Sequence, residues 1–345
     1  MSSPSLRPTL PTETIELILG HVSRTDLLPV LTTNSVIHKI AARVLYRTNL
    51  DVAAKHAILL VKTLAHNDLY APFVRQIELD WTGNSLTGNF LRLLNRTLKR
   101  LKHLLHLSLE FASHDNQSSM AWVLGGCTFS LKTFMTSMRC EPLLARFLET
   151  QNSITEVCLR GFNPPMCAFP LSSHALPRLA HFRTVLSSPR ITADFVRDRP
   201  IESVSMSLYP GDMATSLDAL LLSSRPVKRL TVMSFDVGDP AELLSEIAVR
   251  VPGLEALHAV VLITQHSHEL LVKTAPSLSQ FKALKYLTFM APGASTSLDD
   301  EKGIATLWHK ACPTLRTIIL PKGVVWGYTD GKWVSWQDVV NQDAS

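Results

Sequence analysis

The chain has 345 residues, 46% of them hydrophobic and 18% charged, with a formal net charge of +5 and a pI near 9.0. That apolar content excludes intrinsic disorder, and apolar runs such as Ala57–Val61 and Ala259–Ile263 stop at five residues, excluding a membrane-spanning helix of about 20. Leucine occurs 54 times against 14 glycines, and a chain with fewer charges than the usual quarter must bury that leucine in something regular, for which a long solenoid is one solution.

Met1 to Pro11 is polar and proline-rich, without the apolar core of a signal peptide. From Thr12, a candidate N-cap, Ile15, Ile18, Leu19 and Val22 fall on one helical face. Asp26-Leu27-Leu28 opens a short second helix. A third runs from about Ser35 to Arg47 with the stripe Val36, Ile37, Ile40, Ala41, Val44 and Leu45. Three short helices in fewer than about 45 residues close little core of their own, so their remaining apolar face should dock on something. The plain alternative is an N-terminal cap packed on the rest of the chain.

Leu10-Pro11, Glu13, Ile15, Ile18, Leu19, the Asp26-Leu27-Leu28 turn and the stretch Ile40 to Arg47 resemble an F-box, in the form common in fungal F-box-like proteins. The resemblance implies a trihelical module that binds the Skp adaptor of Skp–cullin–F-box ubiquitin ligases. The contacts it implies are Leu10, Pro11, Ile15, Ile18, Leu27, Leu28, Leu31 and Val36. Many F-boxes carry an aromatic residue where this chain has His38.

Beyond residue 50 a short unit recurs, apolar-x-x-apolar-x-apolar. Its middle apolar residues are Ile77, Leu107, Phe134, Val157, Phe182, Val204, Leu230, Leu257, Leu287 and Ile318. The steps average about 27 residues, within the 20–29 of leucine-rich repeats. Period-two alternation makes each unit a strand with one buried face. Between units lie helical stripes: Phe90, Leu91, Leu94, Leu98 and Leu101, then Leu217, Leu220 and Leu221, then Leu243, Leu244 and Ile247. Strand then helix at a near-constant step predicts an α/β solenoid. It is an irregular one, since most units lack the usual turning Asn and Thr136, Thr184 and Ala259 fill the last apolar position of three units. A doubly wound sheet competes, but lacks a glycine-rich switch-point loop. The expected organisation is a helical module over 1–50 and a leucine-rich-repeat-like solenoid over 51–345.

Trp308 to Pro321 resembles the closing segment of the same fungal group. Val324 to Trp333 reads as a hairpin about Asp330-Gly331. Its aromatic side chains would cap the last repeat; a partner site at Trp326, Trp333 and Trp336 is the sharper alternative.

The chain contains no phosphate-binding glycine loop, nucleophile elbow or His-Glu-x-x-His helix. His266-x-His268 lacks a third ligand near it in sequence. Asp299-Asp300-Glu301 opens a helix, where acids complement the dipole. Arg92, Arg96, Lys99, Arg100 and Lys102 read as a solvated face, with weak nucleic-acid contact as the alternative. Cys127, Cys140, Cys158, Cys167 and Cys312 are odd in number and without a Cys-x-x-Cys pair. They read as reduced thiols in a cytoplasmic or nuclear protein, where the sequons at Asn95 and Asn116 carry no weight.

Recognition is expected on exposed strand positions lining a concave face: Glu78, Ser108, Met135, Cys158, Arg183, Ser205, Thr231, His258, Thr288 and Ile319. Glu78, Ser108, Arg183, Thr231, His258 and Thr288 are the leading client contacts. The reading is therefore a substrate-recognition subunit with no catalytic residue, cofactor or metal. Its partners would be the Skp adaptor with its cullin scaffold and an unidentified client, with neither membrane nor nucleic acid among them. The competing reading is a non-catalytic solenoid scaffold whose N-terminal helices are only a cap.

Overall fold

In a computed structural model of the chain, residues 10–49, 54–112, 119–161, 169–235, 238–263, 267–292 and 297–336 are described. The fold is α/β, and the chain divides into two compact units, 1–135 and 136–345. Among the described residues no helix is long and apolar enough to cross a membrane.

The first unit begins with α1 (Thr12–Gly20), α2 (Arg24–Val30) and α3 (Ser35–Arg47). Thr12 is not a cap but the first helical residue: the Pro11 carbonyl accepts from the Thr14 and Ile15 amides at 3.0 and 3.1 Å. The other two helices are capped by side chains. Ser23 Oγ accepts from the Asp26 amide at 3.2 Å, and Asn34 Oδ1 from Val36 and Ile37 at 3.0 and 2.9 Å. Leu19, Leu27, Ile40, Ala41 and Leu45 form their shared core, with Ile15, Val22, Val30, Leu31, Val44 and Tyr46 packed around it. Glu16 on α1 pairs with Arg43 and Arg47 on α3 at 3.0 and 2.8 Å.

Next come β1 (Thr48–Asn49), α4 (Ala54–His66), β2 (Gln76–Trp81), α5 (Gly88–Leu98) and β3 (His106–Phe111), with β1, β2 and β3 paired in parallel. Strand β1 has no counterpart in the sequence reading, because two residues cannot show alternation. Helices α4 and α5 lie side by side, and Thr97 Oγ1 donates to the Val61 carbonyl at 2.9 Å across their contact. Strand β4 (Thr133–Thr136) falls at the boundary of the units.

In the second unit β5 (Glu156–Leu159), β6 (His181–Thr184), β7 (Ser203–Leu208), β8 (Arg229–Ser234), β9 (Ala256–Val261), β10 (Tyr286–Met290) and β11 (Thr317–Ile319) pair in parallel and in chain order. No reversal of order occurs here, and a doubly wound sheet requires one. Each recurring unit in the sequence is a strand, β2 through β11. The three weak positions Thr136, Thr184 and Ala259 are all buried; the threonines satisfy their hydroxyls locally, Thr184 with Ser187 at 2.5 Å and Thr136 with the Met138 amide at 3.1 Å.

A backbone device aligns successive strands. Two consecutive amides at the start of one strand donate to a single carbonyl before the previous one. Lys228 and Arg229 donate to Glu202, Glu255 and Ala256 to Lys228, Lys285 and Tyr286 to Glu255, and Arg316 and Thr317 to Lys285, all at 2.8–3.2 Å. The four residues whose carbonyls accept, Glu202, Lys228, Glu255 and Lys285, alternate in sign, and Glu255 takes both Lys228 and Lys285, at 3.8 and 3.0 Å.

The chain returns between strands through α6 (Pro142–Glu149), α7 (Pro189–Val196), α8 (Met213–Asp218), α9 (Pro240–Arg250), α10 (His268–Lys273), α11 (Ala275–Leu278) and α12 (Leu298–Ala311). Proline opens α6, α7 and α9, where its missing amide costs nothing. Leu217 and Leu220 are buried as expected, but Leu221 is 58% exposed. The chain tightens to a 3-10 turn over Ala219–Leu222, which rotates Leu221 off the α-helical stripe.

Arg199 is 1% exposed. Its guanidinium donates to the carbonyls of Ala175, Asp194 and Ser172 at 2.8, 2.6 and 2.8 Å, and of Arg197 at 3.1 Å. Burial pushes its pKa down to about 10, against the pull of Asp198 and Asp194, so it stays charged at neutral pH.

The unit closes with the expected hairpin: β12 (Val325–Thr329) pairs antiparallel with β11, and β13 (Lys332–Ser335) antiparallel with β12. Asp330 and Gly331 have φ of 52° and 79°, the left-handed conformation of a tight hairpin turn. Trp326 and Trp333 are buried at 5% and 3%, whereas Trp336 is 66% exposed. The buried Glu301 on α12 fastens the hairpin, accepting from the Lys322 amide at 2.8 Å and Trp326 Nε1 at 3.3 Å. Ser297 and Asp300 form a capping box on the same helix.

Candidate functional site

Two surfaces hold the residues singled out in the sequence. On the three N-terminal helices, small cores leave large side chains outside: Leu10, Ile18, Leu28 and Val36 are 60%, 51%, 55% and 62% exposed, and Pro11 is exposed too. Ile15 and Leu31 are half-buried against the helical core, and Leu27 is 3% exposed within it. Leu27 therefore holds α2 to α3 and presents no surface. Sequence reasoning missed Leu17, 69% exposed on α1, because it lies off the stripe of Ile15 and Leu19. The outward faces thus expose leucine, isoleucine and valine side chains on all three helices.

His38 is built into the support. One ring nitrogen lies 2.8 Å from the Leu31 carbonyl and the other 3.3 Å from the Tyr70 hydroxyl. Tyr70 in turn stacks on Tyr46 at 4.5 Å. The residue that departs from the aromatic pattern therefore fastens α3 to Leu31, just past the end of α2, and to Tyr70.

The second surface is the open side of the strands. In the first unit register sets Glu78 beside Ser108; Glu78 is half-buried and accepts from Gln76 Nε2 at 3.2 Å, while Ser108 is 5% exposed. In the second unit register aligns Cys158, Arg183, Ser205, Thr231, His258, Thr288 and Ile319 in one row across seven strands. Four of the six leading client residues are therefore brought together. Arg183 reaches to 4.0 Å from Glu156, and His258 Nδ1 lies 2.9 Å from Thr288 Oγ1. Burial lowers the His258 pKa from its ordinary value, leaving a neutral imidazole at pH 7. Cys158 is buried, and its thiol is pushed up mainly by desolvation, which makes it a poor nucleophile.

A neighbouring row was missed: Glu156, His181, Ser203, Arg229, Ala256 and Tyr286. The signal for it was present, since period two puts the residue before each middle apolar position on the same face. Two shallow depressions lie along this row. One of about 370 Å³ is lined by Glu156, His181, Arg183, Ser203, Ser205 and Thr231. The other, about 310 Å³, is lined by Glu202, Lys228, Arg229, Glu255, Ala256 and Tyr286.

His266 and Cys167 lie outside the described residues. His268 is 3.9 Å from Asp300. Among the described residues no three His, Cys, Asp or Glu side chains group as a metal site would need. Cys140 and Cys312 are buried, and Cys127, half-buried, has its thiol pushed up to about 11 by burial. The polar groups of the described open-face positions are spread along two rows across the strands and do not converge on one point.

Compared with known protein families the chain matches no family model, and no curated protein matches its sequence.

Proposed function

We propose that the chain is a substrate-recognition subunit of a Skp–cullin–F-box ubiquitin ligase, working in the cytoplasm or nucleus. The first fifty residues hold the Skp adaptor, and residues 51–345, read as an irregular leucine-rich-repeat-like solenoid, present a client. Transfer chemistry belongs to other subunits, and this chain acts by raising the client's effective concentration beside them. The observation that carries the reading is the set of exposed apolar side chains Leu10, just before α1, and Ile18, Leu28 and Val36, on three helices that share the core Leu19, Leu27, Ile40, Ala41 and Leu45. The rows Arg183–Thr288 and Glu156–Tyr286 offer the client charges and hydroxyls in register.

Co-purification tests this. The wild-type chain is expected to retain a Skp adaptor, and Leu10→Ala with Pro11→Ala to retain it at least tenfold less. Equal retention by both, or none by the wild type, sinks the idea. A scaffold reading draws on a different observation, the anchoring of α3 through His38, Tyr46 and Tyr70. It expects that deleting residues 1–47 aggregates the remainder while no form of the chain binds the adaptor.

A further inference from the structure

Helices α4 and α5 present an outer face that the ligase reading does not use. On α5 the buried side chains are Phe90, Leu94, Thr97 and Leu98. Arg92, Arg96 and Lys99, at i, i+4 and i+7, point the other way and are exposed. They form a basic ridge about 10 Å long. On α4 the buried stripe is Ala57, Val61, Leu64 and Ala65, and the opposite stripe reads Lys55, Ile58, Leu59, Lys62. Ile58 and Leu59 are 42% and 60% exposed between the two lysines. The helices pack side by side, so the two stripes lie about 8–10 Å apart.

The charge on this face is large for the molecule. Its five cations equal the whole formal excess of +5, leaving the rest of the chain neutral on balance. Among the described residues no carboxylate lies within 4 Å of any of the five, whereas Arg100 just beyond α5 is paired with Asp68. Unpaired cations at this density attract a polyanion. The two aliphatic side chains between the lysines favour one: a phosphate backbone gives them nothing to pack on, and they are what an interfacial helix buries below lipid headgroups.

We propose that the outer face of α4 and α5 docks peripherally on an anionic lipid surface, with Lys55, Lys62, Arg92, Arg96 and Lys99 on the headgroups and Ile58 and Leu59 in the acyl boundary. The expectation of no membrane partner, drawn from the lack of a span, concerns a different mode of attachment. The proposal is independent of adaptor binding.

The test is flotation of the full chain with vesicles of phosphatidylcholine alone or with one quarter phosphatidylserine. Binding is expected only to the anionic vesicles, and is lost near 0.5 M salt, where screening acts within about 4 Å. Each cation contributes about fivefold near such a surface, so Lys62→Gln with Arg92→Gln and Arg96→Gln should bind about a hundredfold more weakly at an unchanged melting temperature. Leu59→Ser should weaken binding without altering its salt dependence. Arg229→Gln with Lys285→Gln, in the other unit, should leave it unchanged. Absence of vesicle binding, equal binding by the triple variant, or retention on single-stranded RNA in place of vesicles overturns the proposal.

Discussion

Replacing Arg199 with leucine lowers the unfolding free energy by about 3–5 kcal/mol, the range of a broken buried polar network. The side chain is 1% exposed, and its bonds run to carbonyls on three stretches of chain: Ser172 and Ala175 before β6, Asp194 within α7, and Arg197 after it. Leucine fills part of the volume but leaves those acceptors without donors in a site closed to water. Arg199→Lys keeps the charge, yet a single ammonium lacks the planar fork that serves separate carbonyls at once, and about half the loss is expected. Urea unfolding followed by tryptophan fluorescence measures both. A leucine variant within about 0.5 kcal/mol of wild type, the ordinary range for surface substitutions, would falsify this role.

The second large effect belongs to Glu301→Ala. This carboxylate accepts from the part-buried Lys322 amide and from the buried Trp326 indole, so the substitution strands one buried donor at about 1–3 kcal/mol and loosens a second bond. The consequence reaches past stability. Strand β12 covers β11 through the pairs Ile318–Trp326 and Ile319–Val325; once the hairpin loosens, β11 becomes an open strand edge. A loss of about 2–5 kcal/mol is expected together with concentration-dependent association by light scattering. Glu301→Gln keeps an acceptor oxygen and should show less of both. Destabilisation without association would mean that Glu301 supports α12 and not the hairpin.

These two residues mark what the sequence could not disclose. Strands β2 to β11 were legible because burial on one face imposes period two on each of them, even where Thr or Ala sits in the last inward position. The hairpin was legible from Asp330-Gly331, whose conformation few other pairs adopt. Arg199 reads in sequence as one more charge in Arg197-Asp198-Arg199-Pro200; its burial comes from carbonyls 24 and 27 residues back, which no local pattern encodes. Glu301 likewise reads as a dipole-matching acid, and only the fold brings Trp326 to it. At the candidate site, the exposed positions of Arg183 and His258 followed from alternation, but the neighbour of His258 is Thr288, found only through strand register. Leu27 failed in the opposite direction: a motif marked it as a contact, and packing put it in the core.

The strand order of the second unit has a bearing on how the protein is made. Every parallel strand there joins the one that came immediately before it in the chain, and both amides that align it reach back to that same neighbour. During synthesis, therefore, each segment emerging from the ribosome meets a template already in place, at a separation of some 22 to 31 residues, and need not wait for distant sequence. Such a chain can grow as a front that advances with translation. The last hairpin, antiparallel and pinned by Glu301, ends that advance by covering the growing edge with a strand that no further parallel repeat extends.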